Sequence, residues 1–106
     1  MDKLINGYNY KSIGLNSYEV LNKDLVLGKI NYKIISTMNE YKLIELDFDT
    51  FDYLVVYNFI EYLIKEESVL KIIVKNNNIE ILNKLGFVSD KDAYKLTKPM
   101  FLQKGV

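Results

Sequence analysis

The sequence predicts an α/β (α+β) protein built on a mixed sheet, and three stretches carry that prediction. Leu25 to Ile35 and Tyr41 to Phe48 are β-branched runs of alternating character, suited to an antiparallel hairpin. Phe51 to Glu67 is a long helical stretch, apolar around most of its girth, followed by the short apolar run Leu70 to Val74. A strand, a helix and a second strand in that order favour a parallel pair joined by a right-handed crossover. Ile79 to Leu85 then gives a second, shorter helix that stops at Gly86.

Taken in order, residues 1 to 24 are short mixed runs punctuated by Gly7, Gly14, Asn16 and Asn22, with room for short strands. In the run Leu25 to Ile35, Gly28 marks a kink or bulge, and Ser36 to Glu40 is expected to turn the chain. In the next strand the alternation puts Leu43, Glu45 and Asp47 on one face and Ile44, Leu46 and Phe48 on the other. Asp49 or Thr50 is expected to cap the long helix, whose polar stripe is Asn58, Glu61 and Lys65. So apolar a helix needs cover on more than one side, from the sheet and from another element or a partner.

Asn76, Asn77 and Asn78 mark a turn into the second helix, with Ile79, Leu82 and Leu85 expected on its buried face and Phe87 folding back on Leu82. Ser89 to Asp92 reads as a polar loop and Ala93 to Lys98 as a final strand limited by Pro99. The residues after it read as a frayed tail. One domain is expected over all 106 residues.

Composition excludes more than it identifies. Cysteine and histidine are absent, which removes thiolate nucleophiles, imidazole bases, disulfides and the usual zinc sites. Proton transfer is left to carboxylates, lysine and tyrosine. The 14 acidic residues balance 14 basic ones, and every basic residue is lysine. Without net positive charge or a guanidinium fork, no nucleic-acid partner is expected. No run is long and charge-free enough to suggest a membrane span, and the first residues hold no apolar signal core. A cytoplasmic location is the resulting expectation.

From Leu25 onward the order strand, strand, helix, strand, helix, strand, closed by ILNKLGF (Ile81 to Phe87), resembles the core of the GNAT N-acetyltransferase superfamily. That resemblance implies a GNAT-like mixed sheet. Such domains usually begin with a further strand and two helices that help form the acceptor site, so the part preceding Leu25 would be shortened here. The resemblance implies acetyl-CoA as cofactor, transfer of its acyl group to a primary amine, and a groove where the strands splay. On this sequence the cofactor-contacting positions it implies are Asp47, Phe48, Tyr53, Leu54 and Asn77, and the general base would be Glu45 or Asp47. The bland alternative for those two carboxylates is a solvated polar face.

The sequence departs from the family pattern where the chemistry lies. The glycine-rich turn that cradles the coenzyme A pyrophosphate falls over Phe51 to Val56, with no glycine, arginine or glutamine. Asp49 and Asp52 place negative charge at the positive end of the helix. The family's tyrosine acid falls on Leu82. These departures point to a degraded acetyl-CoA motif and a weakly active or non-catalytic protein. The alternative is a protein-interaction or inhibitor module on the same scaffold, bound to a protein partner or to itself as a dimer.

Overall fold

Every strand of the first fifty residues pairs with its neighbour in sequence. The computed structural model describes residues 2–75 and 78–104, without the side chain of Lys104. In it β1 (Lys3–Ile5), β2 (Tyr8–Gly14), β3 (Ser17–Asn22), β4 (Leu25–Met38) and β5 (Tyr41–Thr50) form an antiparallel meander. The residues before Leu25 are thus used as three strands, and no helix precedes Tyr53 among the described residues. Asn6 and Gly7 turn β1 into β2 with φ of 50° and 85°, the paired positive values of a tight hairpin turn. Asn39 and Glu40 do the same between β4 and β5 (49° and 73°). The turn expected over Ser36 to Glu40 is therefore confined to two residues, and β4 runs on to Met38 across a bulge between Ile34 and Ser36.

Gly28 lies where the expected irregularity occurs, beside the register shift between β3 and β4, with φ of 141°. An added Cβ would stand 2.2 Å from the Asp49 carbonyl oxygen, so β4 and β5 approach as closely as they do only because no side chain intervenes.

After β5, α1 (Tyr53–Glu66) crosses to β6 (Val69–Val74), which pairs parallel to β5. The chain continues through α2 (Ile79–Leu85), β7 (Val88–Asp90), β8 (Ala93–Thr97) and α3 (Lys98–Lys104). The sheet order is β1-β2-β3-β4-β5-β6-β8-β7. Asp52, not Asp49 or Thr50, caps α1, because β5 keeps its ladder to β4 through Thr50. Part of the expected polar loop after Phe87 is strand, since Val88, Ser89 and Asp90 pair with Lys95, Tyr94 and Ala93. The expected frayed tail is helical as far as Lys104, the last described residue, and is anchored by buried Phe101, whose ring lies 5.4 Å from that of Tyr57.

One face of the sheet is the core. Val20, Ile30, Ile44, Leu46, Ile72 and Leu96 meet Val55, Val56, Phe59, Ile60 and Leu63 of α1 in a single cluster that also takes in Leu82 and Leu85 of α2. Phe59 is its hub, with ring centroids of Tyr10, Tyr18 and Tyr32 at 5.4, 5.5 and 5.9 Å. Asn58, expected on a polar stripe, is buried and accepts a hydrogen bond from Asn6 Nδ2 at 3.0 Å. Glu61 and Lys65 are the solvent-facing part of that stripe and pair at 3.4 Å. Ile79 is exposed, and Ile81 takes its expected place in the core. The opposite face of the sheet carries half-buried or exposed Lys29, Asn31, Lys33, Glu45, Asp47 and Asp49. No helix among the described residues is long and apolar enough to cross a membrane.

Candidate functional site

Parallel pairing of β5 with β6 runs from Lys42↔Val69 to Glu45↔Ile73 and stops there, while β5 stays on β4 to Thr50. The two parallel strands therefore part just after Glu45. A strand splay of this kind opens both faces of a sheet, and each face has its own recess here.

On the open face, Glu45 and Asp47 share a recess of about 300 Å³ with Asn31, Lys33 and Lys75. The structure thus brings the two candidate bases together, two residues apart on one strand face. Glu45 Oε1 lies 3.8 Å from Lys33 Nζ and 3.6 Å from Lys75 Nζ. This carboxylate is occupied by two ammonium groups that local sequence reading did not associate with it. Lys33 sits opposite Glu45 in the antiparallel register, and Lys75 follows the last parallel pair, so both neighbours are set by register. Asp47 is exposed and faces Asn31 in register.

At the N-terminus of α1 the chain satisfies itself. Thr50 Oγ1 donates to the Leu27 carbonyl at 2.7 Å and accepts from the Asp52 amide at 3.0 Å. Asp52 Oδ1 accepts from the Leu54 amide at 2.9 Å, and the Tyr8 hydroxyl reaches Oδ2 at 3.4 Å. Burial, with the Asp52 charge, pushes the Tyr8 phenol above its ordinary pKa. The sequence marks Asp52, with Asp49, as a capping residue at this helix end, and the structure bears that out for Asp52; the Tyr8 contact was not singled out. The signal for the cap was Asp52 itself, one of three residues of capping type within four positions (Asp49, Thr50, Asp52).

The other implied cofactor positions are scattered. Phe48 is a core side chain. The Leu54 amide is the donor taken by Asp52, and its side chain is partly exposed. Tyr53 borders a recess of about 300 Å³ with Phe51, Asn78, Glu80, Ile81 and Lys84. Lys84 Nζ sits 4.8 Å from the centre of the Tyr53 ring, and burial raises the Tyr53 phenol. Asn77 lies outside the described residues, as does Asn76; Asn78 caps α2 by accepting from the Ile81 amide at 3.3 Å.

A coenzyme A pyrophosphate needs unpaired backbone donors and nearby cations at the helix N-terminus. Here two residues, Phe51 and Asp52, join β5 to α1, and the second presents a carboxylate to the helix amides. Among the described residues Lys84 is the one cation lining the adjoining recess, and Glu80 lines it too. The donor set does not fit the pyrophosphate.

No family model matches the chain, and no curated protein matches it. Solved structures do. A GNAT-family acetyltransferase from Bacillus anthracis superposes with a TM-score of 0.65 at 11% identity, over 79% of this chain and 67% of that one. The N-terminal domain of a ribosomal-protein-alanine acetyltransferase from Clostridium acetobutylicum ATCC 824 gives 0.64 at 13% identity, over 96% and 99% of the two chains. The Campylobacter jejuni N-acetyltransferase PseH gives 0.61 at 14%, over 88% and 70%. The chain therefore has a GNAT-like fold, as its element order implied.

Proposed function

We propose that this protein, starting from a GNAT-like fold, is a non-acetylating module that works by binding another protein. The observation that carries the reading is the Asp52 carboxylate bonded to the Leu54 amide at the end of α1 where the resemblance would put a pyrophosphate. Two further features support it. Leu82, at the position of the family's tyrosine acid, is buried in the core. A two-residue link, Leu15 and Asn16, joins β2 to β3, and no helix precedes Tyr53 among the described residues, where the resemblance would put two helices of the acceptor site.

What such a scaffold offers a partner is surface. Met38 and Tyr41 of the β4–β5 hairpin and Leu70 of β6 are exposed and line one recess, and Ile34 and Ile35 are exposed farther back along β4. Calorimetric titration with acetyl-CoA and with coenzyme A tests the reading directly. Silence up to about millimolar ligand is expected. Micromolar affinity, about −8 kcal/mol, would overturn it and return Glu45 to consideration as a base for a weak acetyltransferase.

A further inference from the structure

Asn6-Gly7 is the one asparagine-glycine pair in the sequence, and it makes the whole of the turn from β1 to β2. Both residues are exposed, with the positive φ values of 50° and 85° that suit a two-residue turn. The pair also has a chemistry of its own. A residue without a side chain lets its backbone nitrogen approach the preceding asparagine closely, and an added Cβ at Gly7 would meet nothing within 4 Å. The Gly7 nitrogen can thus bond to Asn6 Cγ while the Cγ–Nδ2 bond breaks. The departing nitrogen leaves as ammonia, carrying the proton that the Gly7 amide loses. Water then opens the resulting cyclic imide at either carbonyl, giving aspartate or, with the chain rerouted through the side chain, isoaspartate.

What stands against that attack in the folded protein is Asn58. The leaving nitrogen, Asn6 Nδ2, donates to Asn58 Oδ1 at 3.0 Å, and Asn58 is 5% exposed on α1. Turning Asn6 Cγ onto the Gly7 nitrogen takes Nδ2 off this acceptor. The pair Ile5↔Tyr8 closes the ladder directly beside the turn and limits how far the turn can deform. Conversion has a structural consequence too. Isoaspartate adds a backbone carbon to a turn of two residues, and the pairs Lys3↔Tyr10, Leu4↔Asn9 and Ile5↔Tyr8 cannot all close over it. β1 ends the sheet and pairs with β2 alone, so no second strand holds it. Lys3, whose Nζ lies 4.9 Å from the centre of the Tyr62 ring, leaves α1 with it.

We infer that Asn6 is a site of spontaneous amide loss held in check by the buried Asn58, and that its conversion to isoaspartate releases β1 from the sheet. The inference is independent of what the protein binds. Each conversion adds one negative charge to a chain of formal net charge zero, so the product separates from the native chain by ion exchange.

The test incubates the full chain, its Asn58→Leu variant and a synthetic peptide of residues 3–11 at neutral pH. Conversion at position 6 is followed by peptide mapping and mass spectrometry. Three results are expected. The peptide converts at least about fivefold faster than the folded chain, the rate equivalent of one hydrogen bond. Asn58→Leu, checked by circular dichroism to be folded, also converts at least about fivefold faster than the native chain. In the isoaspartate fraction the amides bonded between β1 and β2 exchange their hydrogens faster, while those between β4 and β5 keep their protection. Equal rates in peptide and folded chain, or unchanged protection of β1 in the isoaspartate fraction, overturn the inference. So does a folded Asn58→Leu chain that converts no faster than the native one. If that variant does not fold, the comparison of peptide with native chain decides.

Discussion

Gly28→Ala isolates the contact that holds the long hairpin to the start of the central helix. The new Cβ would meet the Asp49 carbonyl oxygen at 2.2 Å, Thr50 Cβ at 2.7 Å and Thr50 Cα at 3.1 Å. Two of these three are backbone atoms, so relief requires β4 and β5 to separate. The φ of 141° adds a torsional cost of about 1–3 kcal/mol for any residue with a side chain. Separation also breaks the bond of 2.7 Å from Thr50 Oγ1 to the Leu27 carbonyl, worth about 1 kcal/mol. Together with the strained ladder at Gly28↔Thr50, a loss of about 3–5 kcal/mol is expected. Gly7→Ala is the matched control. It has φ of 85° and nothing within 4 Å of its Cβ, so it carries the torsional cost alone, about 1–2 kcal/mol. With no tryptophan in the chain, urea unfolding followed by far-ultraviolet circular dichroism is the assay. If Gly28→Ala destabilises no more than Gly7→Ala, the close approach of β4 to Asp49 is not a feature of the folded protein.

Asp52→Ala should cost about 1 kcal/mol through loss of the α1 cap, and Asp52→Asn less because an acceptor oxygen remains; urea midpoints of the two variants decide. Tyr10→Phe removes the buried bond of 2.6 Å from its hydroxyl to the Val55 carbonyl and should cost about 1–2 kcal/mol by the same measurement. Burial raises the Tyr10 phenol above its ordinary 10.0, so the folded state holds that proton more tightly than the unfolded chain does. Its stabilisation is intact below pH 10.0 and falls above it, by about 1.4 kcal/mol per pH unit while only the unfolded state ionises. Tyr32, whose phenol is also raised by burial, acts in the same direction, and Tyr10→Phe should lose stability less steeply in an alkaline series. Leu82→Ala opens a cavity between α2 and the core and should cost about 2–5 kcal/mol, read as an earlier urea midpoint with unchanged slope.

Where both ends of an element carry local signals, the sequence was sufficient. Asn78 and Gly86 bound α2 at Ile79 and Leu85, and Gly86 takes the left-handed conformation (φ 95°) that its position after Leu85 implied. Alternation alone put Glu45 and Asp47 on one face of β5, opposite the buried Ile44, Leu46 and Phe48. What was illegible depended on partners far away in sequence. Asn58 looked like a solvent residue because Asn6, 52 positions earlier, is not visible in helical periodicity. The lysines around Glu45 follow from an antiparallel register shifted by a bulge and from a parallel register that turn chemistry does not determine. Beyond Pro99, burial of Phe101 against Tyr57 on α1 makes a helix of residues that in isolation have little reason to form one.

The nearest-neighbour pairing of β1 to β5 has a consequence for synthesis. The ladders joining β1 to β5 need nothing from the rest of the chain, since every strand there joins the one just made, and only the outer edge of β5 waits for β6. Their apolar face is not complete. Tyr10, Tyr18, Val20 and Ile30 wait for Phe59 and its neighbours, which the ribosome delivers later. Between the emergence of Thr50 and that of Glu66 the nascent chain is a ready-made sheet with one greasy side bare, the interval in which a chaperone has most to protect.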